Sequence, residues 1–177
     1  MNSAVISSCG TYRYELRRTF APELAFTSMV PTRPLVTCIL NPSKADAIEN
    51  DPTVTRVSGF AKRWGCGWLL VTNADAYRET FPSEMIKAAK SGVDICGPEN
   101  DDYIRRARDI CIENEGIFLV GWGANLTGKV PGGKDRQKRL AELIGDIAMC
   151  LGVNKDGSPE HPLYIPYERP LKPWRCP

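Results

Sequence analysis

The sequence predicts an α/β protein built in three layers, α/β/α, around a mostly parallel central sheet. Three observations carry that prediction. The runs "LVTCIL" (35–40), "WLLVTN" (68–73) and "IFLVGWG" (117–123) are short and almost continuously apolar, as strands covered on both faces are. Stretches with helical spacing of apolar residues lie between and after them. Strand and helix therefore alternate along the chain, the order that builds parallel sheets.

Each element has its own signature. Within the N-terminal region, residues 1–30, "GTYRYELRRTF" alternates Tyr12, Tyr14 and Leu16 against Arg13, Glu15 and Arg17, the period of a half-buried strand. Pro31 and Pro34 break the chain before the first apolar run. "DPTVTRVSGFAKRWG" reads as a helix with Asp51 as N-cap and Pro52 in the first turn, ending at Gly65. "SEMIKAAKSG" reads as a short helix capped by Ser83 and stopped by Gly92. "PENDDYIRRARDICIENEG" is a longer one, with acids at its start and Ile104, Ala107, Ile110 and Cys111 on one face. "DRQKRLAELIGDIAMCLG" reads as an amphipathic helix that buries Leu140, Leu143, Ile144, Ile147 and Cys150 or Leu151. "HPLYIPYERPLKPW" begins as a short strand and continues as a proline-rich tail, 165–177, packed on a single domain spanning 1–177.

The bulk numbers exclude several classes. A chain of 177 residues supports one domain with a proper core. Hydrophobic residues at 42% and charged residues at 25% exclude a disordered or fibrous class. A net charge of +2 does not by itself imply nucleic-acid binding. No apolar run approaches the ~20 residues of a membrane-spanning helix, and the N-terminus lacks a signal-peptide pattern. A soluble, cytoplasmic protein is expected, without membrane contact. Seven scattered cysteines with no C-x-x-C pair fit reduced thiols. With one histidine available, neither a metal centre nor another cofactor is expected.

In open parallel sheets, ligands sit outside the carboxyl ends of the strands. Those ends carry Asn41-Pro42-Ser43, Asn73 with Tyr77 just beyond it, and Trp122. An asparagine amide can orient a water or pair with the edge of a pyrimidine, or simply cap its own turn. His161, the only histidine, is suited to acid–base work or to stabilising an oxyanion; a structural role is the alternative. "GANLTGKV" (123–130) nearly spells a phosphate loop, but Val130 replaces the Mg²⁺-binding hydroxyl and Pro131 follows. "GKVPGGKDRQKR" offers Lys129, Lys134 and Arg136, with Ser43, as phosphate contacts, or is a solvated loop and helix start. Asp46, Glu49 and Asp51 are oxygen donors for a metal, although Asp51 already has an N-cap role.

Taken together, "CGTYRYELRR", "LNPSKADAIENDPT", "FAKRWGCGWLLVTNADAYRET", "GPEND", "VGWG" and "HPLY" resemble the uncharacterised family DUF1643 over nearly the whole chain. More distantly, the motif order is similar to that of the uracil-DNA glycosylase superfamily. "ILNPS" looks like its Asn-Pro water-positioning motif, "GWLLVTN" like the strand ending in its pyrimidine-reading asparagine, "FLVGWG" like its third strand, and "HPLY" like its His-Pro-Ser motif.

The resemblance implies a uracil-DNA-glycosylase-like fold. Asn41 would hold the attacking water, Asn73 would read the base, and His161 would stabilise charge on the leaving base. The water-activating aspartate of the fastest branch is absent here, and Leu163 replaces the serine of the last motif.

The implied function is recognition of a nucleobase, free, in a nucleotide or in DNA, with hydrolysis of the N-glycosidic bond of a modified pyrimidine as its most concrete form. A non-catalytic binder of a base, nucleotide or protein partner is the alternative. A metal-dependent nuclease or phosphohydrolase using Asp46, Asp51 and Asp75 is a third.

Overall fold

In a computed structural model, residues 2–20, 33–43 and 49–177 are described. Their elements, in chain order, are β1 (Ser3–Ile6), β2 (Arg13–Thr19), β3 (Pro34–Ile39), α1 (Pro52–Arg63), β4 (Trp68–Asn73), α2 (Pro82–Lys90), α3 (Asn100–Glu113), β5 (Ile117–Gly121), α4 (Ala124–Lys129), α5 (Gly133–Ile144), β6 (Ala148–Cys150) and β7 (Lys172–Pro173). The seven strands form one sheet in the order β1-β2-β4-β3-β5-β6-β7. The four central strands, β4, β3, β5 and β6, are parallel, and the outer strands add antiparallel at both edges. The mixed α/β class and the parallel centre agree with the apolar runs.

Alternate residues of each central strand face opposite layers. Leu35, Ile39, Leu69, Val71 and Leu119 pack with Val54, Val57, Phe60 and Ala61 of α1. Val36, Cys38, Leu70, Phe118 and Val120 pack with Ile104, Ala107 and Cys111 of α3 and Leu140, Leu143 and Ile144 of α5. All seven cysteines are free thiols, and Cys38, Cys66, Cys111 and Cys150 are buried in these cores. Among the described residues, no helix is long and apolar enough to cross a membrane.

Four expectations require correction, and one strand is additional. The strand over 12–17 does form, but Arg13, placed by alternation on the wet face, is 1% exposed. The register explains why: Val5 pairs with Glu15 while Ile6 pairs with Arg13, so Tyr14 is an extra residue that bulges out of β2. The bulge resets the alternation and puts Arg13 on the α1 side with Leu16. β1 was not foreseen, because "SAVI" is too short to show a period. Ser83 does not cap α2, which starts one residue earlier at Pro82 behind Phe81. The helix read through to residue 150 stops at Ile144. Gly145 takes φ 70°, a 3₁₀ turn follows, and Ala148–Cys150 joins β5 as a strand. A residue buried from both sides satisfies a helical or a strand pattern equally, so periodicity alone cannot separate them. Finally, "HPLY" is a 3₁₀ turn, Pro162–Tyr164, and not a strand; Pro162 has no N–H to give a sheet.

Candidate functional site

The chain leaves β3 for β4 on one side and later returns to place β5 on the other, so the strand order switches between β3 and β5. The crevice outside the carboxyl ends at such a switch is where open sheets bind ligands. At that end of this sheet the exits of β3 and β5, the start of α1 and the His161 turn meet.

Two glycines bring that turn against the sheet. A Cβ on Gly121 would sit 2.8 Å from the Cδ of Pro162, and one on Gly123 would sit 3.3 Å from the Cβ of His161. Gly123 also has φ 75°, a region disfavoured for other residues.

His161 caps the turn, with Nδ1 accepting the Leu163 N–H at 3.4 Å. In the neutral ring this fixes the tautomer, leaving the proton on Nε2 as a donor. Burial lowers its pKa to about 4, against the opposing pull of the Asp51 carboxylate. Asp51 N-caps α1 through a 2.7 Å bond from the Val54 N–H to Oδ1, and its Oδ2 accepts from the Ser43 hydroxyl. Ser43, Asp51 and His161 therefore gather at one corner, which a helix N-terminus makes favourable for negative charge.

Asn41 laces the exit of β3 to the loop after β4. Its Nδ2 donates to the Glu79 carbonyl at 2.7 Å and the Pro42 carbonyl at 3.2 Å. The Pro42 carbonyl also receives the Glu79 N–H at 2.9 Å. No described donor reaches the Asn41 Oδ1.

Asn73 is fully buried, with Arg13 Nη2 3.5 Å from its Oδ1 and no acceptor for its Nδ2 among the described residues. Two side chains from the far layer hold the backbone here. Asn100 Nδ2 donates to the carbonyls of Asn73 (3.0 Å) and Ala74 (3.2 Å), and Arg136 Nε donates to that of Ala74 at 2.7 Å.

Asn41, Pro42, Ser43, Asn73 and His161 thus share the carboxyl end on the α1 side. Trp122 and Tyr77 do not join them. Trp122 is 0% exposed, gives its indole N–H to Gln137 Oε1 at 3.0 Å, and packs edge-on to Trp174 in the α5 layer. Tyr77 is half-buried against the same core and bridges Tyr12. Arg136 is not available as a phosphate contact: it sits in the first turn of α5, 11% exposed, and pairs with Asp101 at 2.5 Å and Asp75 at 3.9 Å. Lys129 and Lys134 are exposed, on the α4–α5 layer away from His161. The "GANLTGK" segment is the short helix α4, not a phosphate-cradling loop, and the glycine-rich stretch after it enters α5.

Asp75 is 2% exposed, and burial outweighs the attraction of Arg136 to push its pKa up to about 6. It lies in the layer opposite Asp51, while Asp46 falls outside the described residues. Among the described residues, no three His, Cys, Asp or Glu side chains come together to hold a metal. Sequence reasoning missed Arg13 and Asn100 as neighbours of the site. The first was hidden by the bulge, and the second read only as part of an acidic helix start.

No curated protein and no solved structure matches this chain. Residues 13–163 match the family described as "Protein of unknown function (DUF1643)", and the chain belongs to that family.

Proposed function

We propose that this protein recognises a nucleobase, free, in a nucleotide or in DNA, and hydrolyses the N-glycosidic bond of a modified pyrimidine. The observation that carries the reading is His161: neutral, tautomerically fixed, and pressed onto the β3–β5 switch point with Nε2–H left to donate. When a glycosidic bond breaks, its electron pair leaves with the base, and negative charge grows on the ring and its carbonyl oxygens. A neutral N–H held in place stabilises that anion without first binding it as an ion pair, so the benefit falls on the transition state.

Asn41, with Nδ2 committed to Glu79, keeps Oδ1 to accept from a water. That water's oxygen bonds to the sugar carbon as the base departs, and its proton passes through solvent to the base. The buried, acceptor-less Nδ2 of Asn73 supplies a donor for a pyrimidine carbonyl. The resemblance to the uracil-DNA glycosylase superfamily supports the same assignment. No metal or cofactor enters it.

The missing water-activating aspartate and the Leu163 in place of serine favour a second reading, a binder of a base or nucleotide without turnover. One assay separates them. Oligonucleotides carrying uracil, hydroxymethyluracil and related pyrimidines are incubated with wild type, Asn41→Ala and His161→Ala, then treated with alkali. Abasic sites made by wild type, and slowed about 100-fold or more by His161→Ala, support hydrolysis. No cleavage, together with a thermal shift on adding a free base or nucleotide, supports the binder.

A further inference from the structure

The two helical layers differ in charge. Every ion pair recorded among the described residues lies within or between α2, α3 and α5, or joins Arg136 to Asp75 just after β4, or Arg175 to Asp146. α1 has none. Its sequence, "PTVTRVSGFAKR", holds three cations and no acid, and Arg56, Lys62 and Arg63 have no carboxylate partner among the described residues. The nearest acid along the chain is Asp51, which caps the start of the helix and bonds Ser43.

These cations are arranged on aromatic rings. Arg56 lies 3.8 Å and Arg63 4.7 Å from the centre of the Tyr167 ring, and Lys62 lies 5.4 Å from that of Phe20. Tyr167 reaches this position because residue 59 is glycine; any Cβ there would overlap the phenol oxygen. Arg56 gives one Nη to the Ile165 carbonyl and buries its Nε, so it anchors the ring, while Lys62 and Arg63 are exposed and keep their N–H groups for phosphate oxygens. Beside the helix a cavity of about 430 Å³ is lined by Thr55, Ser58, Lys62, Phe20 and Tyr167 among others, with no acid in its described wall. Exposed cations beside a half-buried ring along a groove suit a single nucleic-acid strand, Lys62 and Arg63 for its phosphates and Phe20 for a base.

We propose that the outer face of α1 binds the phosphodiester backbone of a single nucleic-acid strand. This rests on the nucleobase reading and deepens it: the base would arrive as part of a strand, not as a free small molecule. The strand runs along the same layer that ends at Asp51 and His161.

The test is fluorescence anisotropy with a labelled 12-mer, single-stranded and as duplex, at several salt concentrations. It compares wild type with Arg56→Ala/Lys62→Ala/Arg63→Ala, with the exposed pair Lys62→Glu/Arg63→Glu, and with Lys87→Ala/Lys138→Ala on the opposite layer. Melting curves check that each variant folds. The α1 variants are expected to weaken single-strand binding about tenfold or more and to flatten the log–log salt slope by about 1.4, at roughly 0.7 for each of the Lys62 and Arg63 contacts. The opposite-layer variant should stay within about twofold.

Equal affinity of wild type and the charge-reversed pair overturns the proposal, as does tighter binding of duplex than of single strand. Binding without base release removes the hydrolysis reading and leaves this surface standing. Release from a free nucleoside, with α1 variants unaffected, does the reverse.

Discussion

The side-chain amide of Asn100, at the start of α3, holds the main-chain carbonyls of Asn73 and Ala74 at 3.0 and 3.2 Å across the sheet. A strand end beside a ligand crevice has carbonyls that no further strand residue will satisfy. Asn100 and Arg136 satisfy them from behind, so that the front of Asn73 stays where the sheet puts it.

Asn100→Ala therefore leaves the buried Asn73 carbonyl short of a donor, while Ala74 keeps Arg136, and we expect a loss of about 2 kcal/mol. Urea unfolding should show it as a lowered midpoint at unchanged slope. Asn100→Asp should cost more than alanine despite its closer shape, because carboxylate oxygens would face two carbonyl oxygens. An aspartate variant as stable as wild type would show that the clamp is not made.

His161 and Asp75 give opposed pH dependences. The His161 pKa falls to about 4 in the fold. Its contribution is complete above the unfolded value of about 6.5 and is lost as pH falls toward 4, by about 3 kcal/mol at most. Asp75 is raised to about 6, so its buried charge weakens the fold above that pH. Protonation relieves this as pH falls from 6 toward the unfolded value near 4, by a similar amount. The wild type should thus show a shallow pH response between 6.5 and 4. Asp75→Asn should lose stability steeply over that range, and His161→Gln should gain it. Parallel curves for the two variants would contradict the assignment.

Gly132 and Gly133 enter α5 side by side but for different reasons. Gly132 has φ 70° with open space around it, whereas a Cβ on Gly133 would overlap the carbonyl of Leu126. Gly132→Ala should cost about 1 kcal/mol, the strain of a left-handed residue. Gly133→Ala should cost clearly more, because backbone of α4 must move. Thermal melts of the two variants rank them directly, and equal losses would sink the distinction.

The thiols should react in a fixed order. Cys9 is exposed, and hydrogen bonds from Ser7 and Thr11 lower its pKa to about 7, while burial pushes Cys38 and Cys111 up to about 12. Brief alkylation at pH 7.5 followed by mass spectrometry should find Cys9 modified early, with Cys38 and Cys111 untouched until the protein unfolds. Early labelling of Cys38 would mean that the core opens locally.

How much of this was legible beforehand follows from what each residue responds to. The apolar runs that became β3, β4 and β5 are buried on both faces, a condition strong enough to show in six letters. Asp51 was legible as the cap of α1 because capping is local, set by a side chain and an N–H three residues on. Trp122 and Arg136 were misplaced because strand parity and helix phase decide which layer a side chain enters, and a break one or two residues away reverses the answer. The same holds for Asn100, whose partners lie 26 and 27 residues off in sequence. Asn41 was found as a strand-end residue and His161 as a candidate in a segment read as a strand, but their hydrogen bonds to Glu79 and Leu163 belong to the folded chain alone.

The extra residue in β2 makes insertions and deletions unequal. Removing Tyr14 would let Arg13 pair in regular phase behind Glu15, so Arg13 would keep its side of the sheet and only the ring stacked 5.0 Å from Tyr103 would be lost. Adding one residue to β1 between Val5 and Ile6 would instead give Tyr14 a partner and turn Arg13 away from Asn73. Length variation in this edge hairpin can therefore move the charge beside Asn73 without any change at residue 13 itself.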